Sequence, residues 1–377
     1  MSVNDWSDQR LTRAALCCMQ GFGADGIVAL VGQVGAEQAW LHLKDGPAGE
    51  TGPTEAVRTW AASVIPAAVA EKTDRAGLRF LMPGDQEWPS SLDGLAVGLW
   101  VSGPGHLADW TLPAVALVGS RASTRYGESV AMRLASELAE PNQDQPWTIV
   151  SGGAFGIDAA SHRGALLAGG RTIGVFANGL DCPYPPGNAS LVRSIEEHGL
   201  VVSELPPGAH PTRPGFLARN RLIAAMSAGT VVVEAALRSG ARNTASWAAS
   251  FGRVVMAVPG PVTSAMSVTP HRLIRDGEAV LVSSSDDVRA LLQPMGTGPE
   301  LPLVGQARRG DELDDDAAAV REVLPARGGM RVNEVALAAG LPVPRCVSAL
   351  ARLQVGGFAT ASAAGTWKAL VGWHAAS

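Results

Sequence analysis

Between residues 114 and 290 the chain repeats one unit seven times: a short β-branched and apolar run, mostly closed by Gly, Ser or Pro and mostly followed by a helical stretch. The runs are Val115–Val118, Thr148–Val150, Thr172–Ala177, Leu200–Val202, Thr230–Val233, Val254–Val258 and Ala279–Val282. They are apolar on both faces, as strands of a parallel sheet must be when helices cover each side. Seven such strands with intervening helices predict an α/β domain with an extended Rossmann-like, doubly wound and mostly parallel sheet.

The flanking segments read differently. Residues 1–75 form a small N-terminal helical domain, in which Leu11, Ala15, Leu16 and Met19 recur at helical spacing. Gly21 and Gly23 interrupt that pattern before a second apolar helix from Ile27 to Val31. A Gly-punctuated pair of this kind is either a helix-hairpin-helix gripping DNA backbone or, more simply, a small bundle. The α/β core spans 76–292, its first part (76–112) a proline-bearing connection. Residues 293–317 form a linker with Arg308, Arg309 and an acidic run from Asp311 to Asp316. Residues 318–377 carry three helical segments, then Gly356-Gly357 and two short strands, the order of a C-terminal winged-helix domain. Arg345 and Arg352 fall on its third helix, where a DNA-reading helix places its contacts. Winged helices also serve as protein-binding modules, and both readings stand.

No stretch approaches the roughly 20 apolar residues of a membrane helix, and the N-terminus lacks the basic and apolar regions of a secretory signal. The expected location is the cytoplasm, without membrane contact. Cys17 and Cys18 are adjacent, Cys182 and Cys346 stand apart, and no C-x-x-C pair suggests zinc or redox chemistry. The net charge is −5, yet residues 210–275 hold eight arginines (213, 219, 221, 238, 242, 253, 272 and 275) against the single acid Glu234. A basic segment inside an acidic chain marks a local anion-binding face.

Ligands of an open parallel sheet bind beyond the carboxyl ends of its strands, and three strand ends qualify. The first brings Gly119, Ser120 and Arg121: a backbone that permits close approach, a hydroxyl and a cation. The second brings Ser151, Gly152 and Gly153 into a helix start that favours an anion. The third, within residues 231–245, brings Ser239, Gly240 and Arg242. One such loop is ordinary turn geometry; several in one domain with the basic segment imply a groove that tracks phosphates. The sequence speaks against a nucleoside triphosphatase: it lacks G-x-x-x-x-G-K-[ST], and none of Lys44, Lys72 and Lys368 sits in a Gly-rich loop. A NAD enzyme fits poorly, because residues 119–124 do not make G-x-G-x-x-G. No cofactor or metal is implied. Asp158 and His162 share one helix face, and a capping acid with a surface histidine is the simpler reading than an acid–base pair.

GSR (119–121), SGGAFGIDAASH (151–162), GVFANGLDCPYPPGN (174–188), SELPPG (203–208), FLARNRLIA (216–224), VVVEAALRSGARNTA (231–245) and VPGPV (258–262) resemble the DprA/Smf family in order and spacing. The resemblance covers about residues 80 to 290. It implies a non-enzymatic, ATP-independent recombination mediator that binds and protects incoming single-stranded DNA, homodimerises and loads the RecA recombinase in natural transformation. Carried onto this sequence, the implied DNA contacts fall on Ser120, Arg121, Gly152, Gly153, Phe216, Arg219, Asn220 and Arg221. Arginines suit phosphates, and an aromatic can stack on a base. Phe155 stands where the family commonly has Arg, and Arg242-Asn243 where a more apolar pair is usual. The alternative is a nucleotide-processing hydrolase of the lysine-decarboxylase-like group, whose P-G-G-x-G-T-x-x-E run this chain lacks.

Overall fold

The computed structural model describes residues 6–19, 24–46, 53–237, 239–293 and 313–370. The chain divides into two compact units, Met1–Leu301 and Pro302–Ser377. Gly21, Gly23, Arg238, Arg308, Arg309 and most of the expected linker lie outside the described residues.

Five helices open the first unit: α1 (Asp8–Cys17), α2 (Ala24–Val34), α3 (Ala36–Asp45), α4 (Glu55–Ser63) and α5 (Pro66–Arg75). Ser7 and Thr54 begin α1 and α4 by accepting the N–H groups of Arg10 and Val57, which the helix itself cannot satisfy. Two strands follow, β1 (Arg79–Leu81) and β2 (Leu99–Ser102), and one helical turn, α6 (Leu107–Trp110). These strands fall in the stretch expected to be a plain connection. Runs of three and four residues between turns carry too little periodicity to be read.

β2 belongs to two cores. Leu99 and Val101 join the apolar cluster of the main sheet, whereas Trp100, pointing the other way by the two-residue period of a strand, joins Leu16, Met19, Trp40 and Phe80. Trp100 Nε1 donates to Thr73 Oγ1 at 2.8 Å, and its ring lies 4.8 Å from that of Phe80. Arg10 adds a two-pronged ion pair to Asp85 at 2.6 and 3.0 Å. The expected boundary at 75/76 is therefore no break in the packing.

The seven predicted runs form β3 (Ala114–Val118), β4 (Thr148–Ser151), β5 (Thr172–Phe176), β6 (Leu200–Ser203), β7 (Gly229–Val232), β8 (Val254–Ala257) and β9 (Val280–Leu281). All seven are parallel, in the order β6-β5-β4-β3-β7-β8-β9, and β2 and β1 extend the sheet antiparallel beyond β6. Between them run α7 (Arg125–Ala139), α8 (Ile157–Leu167), α9 (Ala189–His198), α10 (Arg213–Ala225), α11 (Ala241–Ser250) and α12 (Val268–Arg275), and α13 (Ser285–Leu292) closes the unit. Central β3 explains the unalternated sequence. Val115 and Leu117 pack with residues of α7, α8 and α13, while Ala116 and Val118 pack with those of α10 and α11. The chain winds outward from β3 to β6, then crosses back to β7 on the other side of β3. The crevice beyond the carboxyl ends of β3 and β7 is the point where such sheets hold ligands.

The second unit comprises α14 (Asp315–Val323), β10 (Met330–Arg331), α15 (Val332–Ala338), α16 (Val343–Val355), β11 (Ala359–Ala361) and β12 (Thr366–Ala369), with sheet order β10-β12-β11. Val320, Val335, Leu350 and Leu353 form its core. Arg345 and Arg352 of α16 pair with Asp316 at 2.6 Å and Asp314 at 2.9 Å. The two arginines that a DNA-reading helix would use are thus held by the first turn of α14 and its cap. Among the described residues no single helix is long and apolar enough to cross a membrane.

Candidate nucleic-acid interface

A cleft of about 580 Å³ opens at the point where the sheet reverses its winding, between the loops after β3 and β7 and the first turns of α10. Gly119 makes the crossing of these loops possible. A Cβ there would stand 2.5 Å from the Ile157 side chain and 2.7 Å from the Glu234 carbonyl. Ser120 N–H donates to that carbonyl at 2.6 Å. The buried Glu234 carboxylate accepts from Thr124 N and Oγ1 at 2.8 and 2.7 Å, at the start of α7, where a negative charge complements the helix dipole. One acid therefore locks the β3 and β7 loops together. Ser120 itself is buried, its Oγ accepting from Ala122 N, and Arg121 projects outward.

α10 supplies the opposite wall. Thr212 caps it, and Arg213, Phe216, Leu217 and Asn220 recur at the spacing of one helix face, all lining the cleft. The Arg121 guanidinium lies 4.7 Å from the centroid of the half-buried Phe216 ring, within cation–π range. The Tyr184 ring lies 5.8 Å from that of Phe216, tilted against it. Arg121 and Arg213 make no ion pair among the described residues. Asn220 donates to Gly240 O and Asn243 Oδ1, tying α10 to the start of α11, and Ser239 and Gly240 complete the rim.

Arg219 forms the back of the cleft. It is only 6% exposed, and its Nη1 donates to the carbonyls of Gly152, at 2.9 Å, and Val175. Gly152 is what leaves room: a Cβ would come within 2.6 Å of the guanidinium and 2.7 Å of the Asp158 carboxylate. Burial lowers the Arg219 pKa to about 10, the Asp158 charge opposing that shift and Arg121 adding to it, so the group stays cationic at neutral pH. Burial likewise raises the Asp158 carboxyl, against the pull of Arg219 and of the Ala154 and Gly152 amides. The cleft is thus a cationic, partly apolar slot whose buried Arg219 feels the charge of Asp158.

Gly119, Ser120, Arg121, Phe216, Arg219, Asn220, Ser239 and Gly240 come together as expected from the sequence, and the remaining residues do not. Ser151 is fully buried and donates to Leu117 O at 2.7 Å, a bond between neighbouring strands. Gly152 and Gly153 are buried beneath Arg219 and beside Phe176. Arg221 is a correction: it points away from the cleft into a buried two-pronged pair with Glu204 at 2.6 and 2.8 Å. Arg242 reaches Glu278 at 3.2 Å rather than the cleft. His162 is no surface residue; it is fully buried and bonded to Thr172 Oγ1 at 2.7 Å, and burial lowers its pKa to about 3. Sequence reasoning missed Arg213, Leu217 and Tyr184 as site residues. The first two were readable from the helical spacing of Phe216 and Asn220; Tyr184 lies within the 174–188 run, but nothing local ties it to Phe216.

Residues 79–293 match the family model described as DNA recombination-mediator protein A. A DNA processing protein DprA of Mycobacterium tuberculosis is 44% identical over 312 residues, covering 78% of each chain. The chain belongs to the DprA/Smf family. The crystal structure of DprA from Streptococcus pneumoniae superposes with a TM-score of 0.62 at 32% identity, over 76% of this chain and 96% of that one. A second DprA structure, from Helicobacter pylori and described for its single-stranded DNA binding mode, gives a TM-score of 0.50 at 27% identity, over 56% of this chain and 95% of that one. In this DprA/Smf chain the matched segment runs from β1 past α13 and contains the whole cleft, while α1–α5 and the second unit lie outside it.

Proposed function

We propose that this chain is an ATP-independent recombination mediator that binds single-stranded DNA in the cleft between β3, β7 and α10. One observation carries the reading: Arg121, the Phe216 ring it covers and the buried Arg219 line one cleft at the reversal point of the sheet. Arg121 and Arg213 engage backbone phosphates, the forked guanidinium reaching two oxygens at once. Phe216 offers its ring to a base, which a single strand can present and a duplex keeps inside its own stack. Arg219 adds a fixed positive potential at the back of the slot, while Ser120, Asn220, Ser239 and Gly240 shape it. Support comes from family membership and from the similar H. pylori protein, described as binding single-stranded DNA.

The finer role follows from the same family. The protein protects incoming single strands in the cytoplasm, homodimerises and hands the strand to RecA recombinase during natural transformation. The half-exposed Val280 and Leu281 on edge strand β9 suit a partner copy. The second unit acts as a winged-helix module toward protein rather than DNA, because its two helix arginines are already engaged by carboxylates. The test is a titration of labelled single-stranded against duplex oligonucleotide with the full chain. Tighter single-strand binding, lost in Arg121→Ala, is expected; equal affinity for both forms sinks the proposal.

A further inference from the structure

A second and larger cavity, about 1120 Å³, lies along the same carboxyl edge of the sheet, where the residues after β5 and β6 meet α4 and α5. The first turn of α10 divides it from the cleft described above: Thr212, Pro214 and Gly215 border the second cavity, while Arg213, Phe216 and Leu217 border the first. Arg219 lines both. It is nine-tenths buried, and its Nε–H has no hydrogen-bond partner among the described residues. A buried cation that lines both cavities offers one charge to an anionic group passing between them.

The far wall has the composition of a strand-binding surface. Trp60, 49% exposed, is held by its Nε1 donating to Cys18 O at 3.1 Å, so the indole is positioned while still open to the cavity. Ile65, 64% exposed, stands nearby in the lining. Lys72 and His210 also line the cavity and are exposed. Glu204, the acid on this wall, is turned to Arg221. An aromatic platform, a lysine and a shared buried arginine, continuous with a proposed DNA cleft, match the pairing of stacking and phosphate contact that single-stranded nucleic acid uses.

We infer that the groove between α4–α5 and the loop after β6 is a second binding segment for the same single DNA strand, with Trp60 stacking a base and Lys72 contacting a phosphate. The inference rests on the first cleft being the DNA site. The strand passes over the first turn of α10, with Arg219 bridging the two segments. Helices α4 and α5, outside the matched family segment, thereby extend the footprint of the core.

The experiment titrates the full chain with oligothymidylates from about 5 to about 20 nucleotides, comparing the parent with Trp60→Ala, Lys72→Glu and Arg121→Ala. For Trp60→Ala the expected result is a loss of roughly 5- to 100-fold in affinity for the long oligonucleotides and none for the shortest. Lys72→Glu should show the same length dependence, with thermal melting confirming that both variants fold. Arg121→Ala should weaken every length, and full affinity in that variant would count against the first cleft. Parent-like binding by Trp60→Ala and Lys72→Glu at all lengths overturns the second segment alone. Photo-crosslinking with a 5-iodouracil-substituted oligonucleotide should give an adduct on Trp60, and adducts confined to Phe216 and Tyr184 overturn the inference. So does saturable binding of free thymidine monophosphate that Trp60→Ala abolishes while long-oligonucleotide affinity stays intact.

Discussion

Arg219 and Arg221 stand two residues apart on α10 and serve opposite ends: Arg219 turns to the carbonyls of Gly152 and Val175 at the back of the cleft, Arg221 to the buried carboxylate of Glu204. Two residues advance a helix by about 200°, so the pair cannot share a face. Arg221→Ala strips a buried carboxylate of its guanidinium and should cost about 3–5 kcal/mol of stability. Urea unfolding measures this. An Arg221→Ala protein with parental stability but lost DNA affinity would place Arg221 in the interface after all.

Arg121→Ala and Arg213→Ala should act on binding and leave stability nearly unchanged, because both side chains are exposed. Each phosphate contact on a single strand contributes a slope of about −0.7 to log affinity against log salt. Each substitution should therefore flatten the slope by about that amount, read from anisotropy titrations across a salt series. An unaltered slope removes that arginine from the list of phosphate contacts.

For Phe216 the expected signature is the opposite. Phe216→Ala should cost about 1–3 kcal/mol of single-strand affinity while the salt slope stays put, and Phe216→Trp should retain most of the affinity. If the alanine variant instead melts several degrees lower and binds normally once folded, the ring is core and not platform.

His162 predicts an acid limb in stability. Its pKa is lowered to about 3, chiefly by burial, from an ordinary value of 6.5. Below about pH 6.5 the unfolded chain takes up a proton that the folded one refuses until about pH 3. Stability should fall with decreasing pH over that window, the residue's share approaching about 1.4 kcal/mol per pH unit. Denaturant unfolding between about pH 6.5 and 5, before most carboxylates titrate, should show a shallower limb in His162→Asn. An identical limb in that variant assigns the acid sensitivity to other groups.

Val280 and Leu281 on β9 give a test of assembly. The parent chain should scatter light as a dimer at micromolar concentration, and Leu281→Asp should scatter as a monomer. A monomeric parent, or a dimer indifferent to the charge, moves the interface elsewhere.

The parallel sheet was legible because each buried strand is a continuous apolar run, and the β3 loop was legible because Gly-Ser-Arg follows such a run directly. The edge strands β1 and β2 were not, being three and four residues long. Arg221 was misassigned because its motif was read as a string; the 3.6-residue period separates it from Arg219. The Arg121–Phe216 and Phe216–Tyr184 contacts and the clamp of Glu234 on Thr124 join residues 32 to 110 positions apart. Contacts of that range depend on the finished topology and leave no local trace.

The double membership of β2 means that the segment matched by the family model is not a unit of folding. Cutting the chain at residue 79 would keep Leu99 and Val101 covered but strip Trp6, Leu16, Met19 and Trp40 from the cluster that holds Phe80 and Trp100. The excised sheet would carry a bare aromatic flank, of the kind that drives self-association. Helices α1–α5 are in that sense a lid on the sheet's antiparallel extension, and a shortened chain keeps that flank covered only if it begins upstream of Trp6.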